Sequence, residues 1–158
     1  MTTRLLALML IVAAGCTSAA PSTTTVPPLA PTTTPMLPGF DTTTISIDDR
    51  EMVVAVADTQ ETRSQGLMGV TELGGLDGML FVFEADSEGG FWMKDTLIPL
   101  DIAFFAFDRI FVDKLTMVPC TTDDCPLYHA TGRYRYAIEA PEGDLGFVTE
   151  ASMLRIDS

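Results

Sequence analysis

Two basic side chains stand where this chain can do chemistry. The sequence holds 9 Lys and Arg against 22 Asp and Glu, so a basic residue set beside apolar ones is a marked choice. Arg63 stands one turn before Gly66, and Lys94 directly follows Phe91-Trp92-Met93. Arg63 offers a planar fork for a carboxylate, Lys94 a point charge, Trp92 a flat apolar face and Thr96 a hydroxyl. Together with Asp101 they form a candidate binding group for an anionic or sugar-like ligand. In a catalytic version Asp101 acts as general acid or base while Arg63 stabilises developing negative charge. The competing structural assignment pairs Arg63 with Asp101 across the fold, sets Arg63 at the negative end of its helix, and buries Trp92 in the core. A carboxylate paired to an arginine is a poor base at neutral pH, so the two assignments exclude each other chemically.

Other reactive residues are few. His129 is the only histidine, and there is no H-E-x-x-H, G-x-S-x-G or phosphate-binding glycine loop, which removes ordinary hydrolase and NTPase mechanisms. Its place in a loop suits a surface or hydrogen-bonded residue, although imidazole permits proton chemistry. Met68, Met79, Met93 and Met117 with His129 could hold Cu(I), a soft ion, but methionine is also an adaptable filler of cores. No metal site or cofactor is assigned. Cys120 and Cys125 form a C-x₄-C pair, expected to close as a disulfide outside the cytoplasm; a redox pair or a metal site are the alternatives. Closing so short a loop contributes about 2 to 3 kcal/mol at most.

The elements that must position these groups can be read from periodicity. Ile45-Ser46-Ile47 and Glu51 to Ala57 flank the polar turn Asp48-Asp49-Arg50 and predict a hairpin. Asp58, with Glu61 three residues on, predicts a capped short helix closed by Gly66. Strands follow at Gly78 to Phe83, Phe91 to Met93, Ile102 to Phe107 and Ile110 to Val112, with Asp108-Arg109 as a tight turn. Several are apolar on both faces, which predicts a closed or doubly covered sheet. Tyr134 to Glu139 alternates polar and apolar, and Met153 to Ile156 supplies the last strand. The fold class is mainly β, a small barrel-like or two-layer domain with one or two short helices.

Residues 1–15 carry one basic residue, Arg4, then an apolar run from Leu5 to Ala14, too short to span a membrane and of signal-peptide form. Ala13-Ala14-Gly15-Cys16 resembles the lipobox of bacterial lipoproteins, in which the cysteine is acylated and becomes the first residue. The diacylglyceryl group implied by that resemblance supplies chains enough for stable anchoring to the membrane through Cys16. Residues 16–43 are dominated by Ser, Thr, Pro and Ala and read as a disordered tether, of a composition also seen in O-glycosylated stalks. Residues 44–158 form one domain, with a core of ordinary size. Removing residues 1–15 takes away Arg4 alone and leaves 8 basic against 22 acidic residues, a formal −14. Such a surface disfavours nucleic acid and anionic headgroups.

Several blocks carry a family resemblance. Arg63-x-x-Gly66-Leu67-Met68, Gly78 to Phe83, Phe91-Trp92-Met93-Lys94-Asp95-Thr96 and Ile98-Pro99-Leu100-Asp101-Ile102 stand in the order and spacing of the family called DUF192 or UPF0127. Pro119-Cys120 and Tyr136 to Glu139 resemble its later blocks, and the likeness spans roughly residues 45–156. It implies a small mainly β fold with frequent export or membrane attachment, and no activity. Asp95 stands where the family usually has Asn, adding a negative charge beside Lys94.

The expected function is an exported, lipid-anchored accessory module of the cell envelope that binds a saccharide, an anionic small molecule or a protein. An envelope enzyme using Asp101 and Arg63 is the first alternative, and a Cu(I)-binding protein the second.

Overall fold

The computed structural model describes residues 37–157, so the expected signal peptide, Cys16 and most of the expected tether lie outside the described residues. Within them the chain runs β1 (Asp41–Ile47), β2 (Arg50–Ala57), α1 (Gln60–Gln65), β3 (Gly78–Ser87), β4 (Phe91–Trp92), β5 (Leu100–Phe105), β6 (Phe111–Met117), β7 (Leu127–Tyr128), β8 (Tyr134–Pro141) and β9 (Leu154–Ile156). Seven strands form one curled, half-barrel sheet in the order β6-β5-β8-β3-β2-β1-β9, and β4 pairs with β7 in a small second sheet. The mainly β expectation holds.

Neighbouring strands of the large sheet are antiparallel except β2 and β3, which run parallel. A parallel pair requires a crossover, and α1 with residues 66–77 supplies it. That crossover lays Leu67, Leu73 and Leu76 against Ala55, Ala57, Met79 and Phe81, covering one face of the sheet. The other face gathers Ile45, Ile47, Val54, Leu80, Ala103, Phe105, Ile138 and Leu154 from six strands into the barrel interior. Every residue of β5 is buried, which explains why Ile102 to Phe105 is apolar without alternation.

Details of the turns differ from expectation. The β1–β2 hairpin has a two-residue turn, because Arg50 pairs with Ile47 and belongs to the strand. Asp48 takes the left-handed conformation (φ 56°), which aspartate tolerates better than most residues. The helix cap is Thr59, one residue later than Asp58: the Thr62 N–H donates to the Thr59 hydroxyl at 3.1 Å and the Thr59 N–H to the Thr62 hydroxyl at 3.0 Å. Two hydroxyls satisfy that reciprocal box, leaving the Asp58 carbonyl free to accept from Arg63. Gly66 closes the helix as expected. Phe91 to Met93 yields only a two-residue strand, since Met93 turns into the core.

The open sheet is drawn together at one end. Ile110 forms an isolated bridge with Met153, and the Leu154 N–H donates to the Arg109 carbonyl at 3.0 Å. Asp48 fixes the same corner: its carboxylate accepts from the Met153 N–H at 2.9 Å and the Ser152 hydroxyl at 2.8 Å. The Met153 N–H, then the Ser152 hydroxyl, hold this carboxyl below its usual range, against a smaller opposing effect of burial and with help from Arg155. A depressed carboxyl contributes stability above its unfolded value of 3.8 and loses it as pH falls. Asp48→Ala is expected to lower the thermal midpoint by several degrees at neutral pH, with the gap to wild type closing in acid. Equal midpoints at neutral pH would show that the corner is held by the backbone alone.

Candidate functional site

Between α1 and the small β4–β7 sheet lies a cleft of about 220 Å³. Its walls are aromatic because β3 and β8 present large rings on the face that the crossover leaves uncovered. Phe81 meets Phe91 edge-on at 5.0 Å, Phe83 meets Tyr134 at 5.3 Å, and Phe104 supports Tyr134 from below at 4.9 Å. Trp92 stands on the rim with half of its surface exposed. Such packing fixes ring positions and leaves a preformed slot with aromatic walls and polar groups among its lining.

At the cleft lies Glu139, a residue whose side-chain chemistry the sequence concealed. Its register partners are Met79 on β3 and Ile102 on β5, both fully buried, and Glu139 itself is 4% exposed. Gly78 allows this approach: a Cβ there would collide with the Glu139 carbonyl oxygen. Burial alone pushes the carboxyl up to about 8, with no neighbouring charge or hydrogen bond contributing. No sealed side-chain polar atom among the described residues lacks a partner, so the unpartnered carboxyl opens on the cleft that it lines. Thr96, 3% exposed and lining the same cleft, presents its hydroxyl in the same way.

The five residues singled out from the sequence separate into three places. Arg63, Trp92 and Thr96 line the cleft. The Arg63 guanidinium donates to the carbonyls of Val82 (2.8 Å) and Asp58 and lies 5.1 Å from the Phe83 ring centre, so its Nη1 is committed to backbone. Lys94 points away, donating to Asp123 at 2.7 Å and to the Thr122 carbonyl at 3.0 Å. It anchors the loop closed by the Cys120–Cys125 disulfide, which is formed as expected. Asp101 projects to the opposite face of the sheet from Leu100 and Ile102, because successive strand residues alternate. There it accepts from the Thr116 hydroxyl at 2.7 Å and the Gly143 N–H at 2.8 Å, clamping the turn after β8. The expected pairing of Arg63 with Asp101 is therefore not formed, and the sheet separates the two.

The remaining chemistry is also placed. Asp95 adopts φ 54°, a conformation that Asn and Asp both tolerate, and it does not line the cleft. The ring of His129 packs on Gly90, where a Cβ would stand 2.8 Å from it. Met79, Met93 and Met117 are fully buried in the apolar cluster, and only Met68 reaches the cleft. Among the described residues no group of three or more His, Cys, Asp or Glu side chains could hold a metal.

A β half-barrel with an aromatic-walled cleft that Glu139 lines describes the class of this protein. The chain matches the DUF192 family, described as an uncharacterized ACR, over residues 43–149, well over half its length, and it belongs to that family. A solved protein of Sinorhizobium meliloti 1021, described as a candidate transcription regulator, is 24% identical with a TM-score of 0.66, covering 74% of this chain and 95% of its own. A protein of unknown function from Novosphingobium aromaticivorans DSM 12444 is 27% identical with a TM-score of 0.62, covering 73% and 84%. No curated protein matches the chain.

The titration of Glu139 is measurable without a ligand. In the unfolded chain its carboxyl ionises near 4.5 and in the folded protein near 8, so the folded state holds the extra proton between these values. Stability from this group is full below 4.5 and is lost as pH rises to about 8. Glu139→Gln, a neutral isostere, is expected to melt several degrees higher than wild type at alkaline pH and to lack that decline. A wild-type midpoint that is level across the range, matched by the variant, contradicts the assignment.

Proposed function

We propose that the protein is an exported lipoprotein whose folded domain binds a small, ring-bearing component of the cell envelope in the aromatic cleft. The observation that carries the reading is Glu139, a buried carboxyl without a partner among the described residues, in a cleft with aromatic walls. Sugars and other molecules with one flat apolar face and a polar edge match that combination of rings and hydroxyls. The anionic alternative is weaker, since Lys94 is paired with Asp123, Arg63 in the cleft is bonded to the Val82 and Asp58 carbonyls, and the chain carries a formal charge of −13. That charge also opposes nucleic-acid binding, so the description given to the S. meliloti protein is not transferred.

The address rests on the Ala13-Ala14-Gly15-Cys16 motif, supported by the disulfide, which persists in oxidising compartments. No helix among the described residues is long and apolar enough to cross a membrane. Cys16→Ser is expected to move the protein from the membrane fraction to the soluble fraction, and unchanged membrane retention contradicts lipid anchoring at this residue. An envelope enzyme remains the second reading, now favoured by Glu139, since a carboxyl near 8 suits a general acid at neutral pH.

Binding is tested by thermal unfolding of the protein with N-acetylglucosamine, soluble peptidoglycan fragments and neutral oligosaccharides. A ligand at about 100 times its dissociation constant adds about 2.7 kcal/mol and raises the midpoint by several degrees. The shift should vanish in Trp92→Ala. A shift that survives Trp92→Ala unchanged, or no shift with any of these probes, argues against the saccharide reading.

A further inference from the structure

We propose that Glu139 serves the cleft as a neutral carboxylic acid that pairs with an amide, so that the site selects uncharged ring compounds bearing an amide and refuses carboxylates of the same shape. The inference rests on the cleft being a ligand site, as proposed above, and adds the charge and polar group of that ligand.

The geometry leaves Glu139 two unmet capacities. Its carboxyl sits between Met79 and Ile102, takes no hydrogen bond from the described residues, and lines the cleft. In its neutral form it offers one O–H donor and one carbonyl acceptor side by side. A primary or secondary amide whose N–H lies beside its carbonyl oxygen presents the complementary pair, so one ligand group fills both. Such an N–H belongs to primary amides and ring lactams, because the secondary amide of an N-acetyl group is trans and holds its N–H opposite its oxygen. The Thr96 hydroxyl, equally buried and without a partner among the described residues, stands in the same cleft to meet a further polar atom of the ligand.

The surroundings explain why the acid stays neutral and why an anion is refused. The titratable and charged groups lining the cleft, besides Glu139, are Arg63 from α1 and Tyr134 from β8. Arg63 holds the carbonyls of Val82 and Asp58 and stacks on Phe83. The Tyr134 hydroxyl donates to the Gly89 carbonyl at 2.8 Å and accepts from Ser87 at 3.3 Å. The lining residues of β3 and the Phe91–Thr96 segment are uncharged. Nothing there exerts a resolved pull on the proton of Glu139, whose carboxyl is raised to about 8 by burial alone. Arg63 lines the cleft but exerts no resolved effect on Glu139, so a carboxylate set against Glu139 would lose its water with no cation beside it, a far larger penalty than for an amide. Ionising Glu139 removes the donor and sets negative charge against the amide oxygen, so the ligand is released as pH rises.

Benzamide and benzoate make the discriminating pair, since they share a flat ring and differ in charge. Trp92 is the only tryptophan of the chain and lies on the cleft, so its fluorescence reports occupancy, with calorimetry as an independent readout. Near neutral pH, wild type should bind benzamide at least about tenfold tighter than benzoate, and benzamide should weaken about tenfold between about pH 6 and about pH 10. Glu139→Gln keeps a donor and an acceptor and should bind benzamide with no pH dependence, whereas Glu139→Ala should lose about tenfold. Benzoate bound as tightly as benzamide, or a pH-independent wild type, overturns the inference while leaving the cleft a ligand site. Benzoate binding lost in Arg63→Ala would make it an anion site instead. Failure of both probes to bind by either readout overturns the ring-binding reading itself, and the inference with it.

Discussion

Desolvation of one carboxyl group is the constraint around which this domain is arranged. β8 lies between β3 and β5, so its backbone is paired on both sides and Glu139 cannot swing out to water. Gly78 brings the β3 backbone against it, and Met79 and Ile102 flank its side chain. An ionised carboxylate in such surroundings is strongly disfavoured unless paired, and no cation is placed to pair it. The fold therefore keeps the proton, and the energetic cost of burying a polar group falls on a residue whose carboxyl faces a cavity. Costs of that kind are found where a site is maintained against the interest of stability.

The outer wall of the cleft depends on a second, more peripheral set of contacts. The β4–β7 sheet has only the pairs Phe91 with Tyr128 and Trp92 with Leu127, too little to stand alone. Lys94 ties it to the disulfide loop through Asp123, and Cys120 bridges both Lys94 and Thr96. His129 seats on Gly90, next to Phe91. Lys94 and the cysteines thus hold Trp92 and Thr96 in position from outside the cleft. The same sheet leaves Trp92 and Leu127 half exposed, so the rim remains open to ligand.

Local pattern carried much of this into the sequence. Hairpins, the short helix and the doubly covered β5 follow from turn residues and from runs such as Ile102 to Phe105, because each depends on neighbours within a few positions. The cap slipped by one residue, since Asp58 and Thr59 are both competent and Thr59 alone has a hydroxyl three residues on, Thr62, to complete a reciprocal box. Arg63, Trp92 and Thr96 were legible as site residues from their chemistry. Lys94 and Asp101 were not separable from them, because their partners, Asp123, Thr116 and Gly143, arrive from other parts of the chain. Glu139 was hidden for a related reason. Alternation in Tyr134 to Glu139 assigns a glutamate to solvent, and only the central place of β8 in a sheet covered on both faces reverses that assignment.

Charge outside and acid inside act in one direction. A formal −13 spread over the chain makes an unfavourable field for any approaching anion, and the same field opposes ionisation of a buried carboxyl. A neutral ligand feels no such steering in either sense. Its affinity must then come from contact, and the cleft supplies contact of the required kind: ring faces held by edge-to-face packing, with Glu139 and Thr96 as the polar groups left unspent. Selectivity at this site is thus a matter of which molecules can leave water for a cleft where Glu139 and Thr96 are buried and the one lining cation, Arg63, is bonded to backbone carbonyls. Uncharged rings with one polar edge meet that condition, and ions do not.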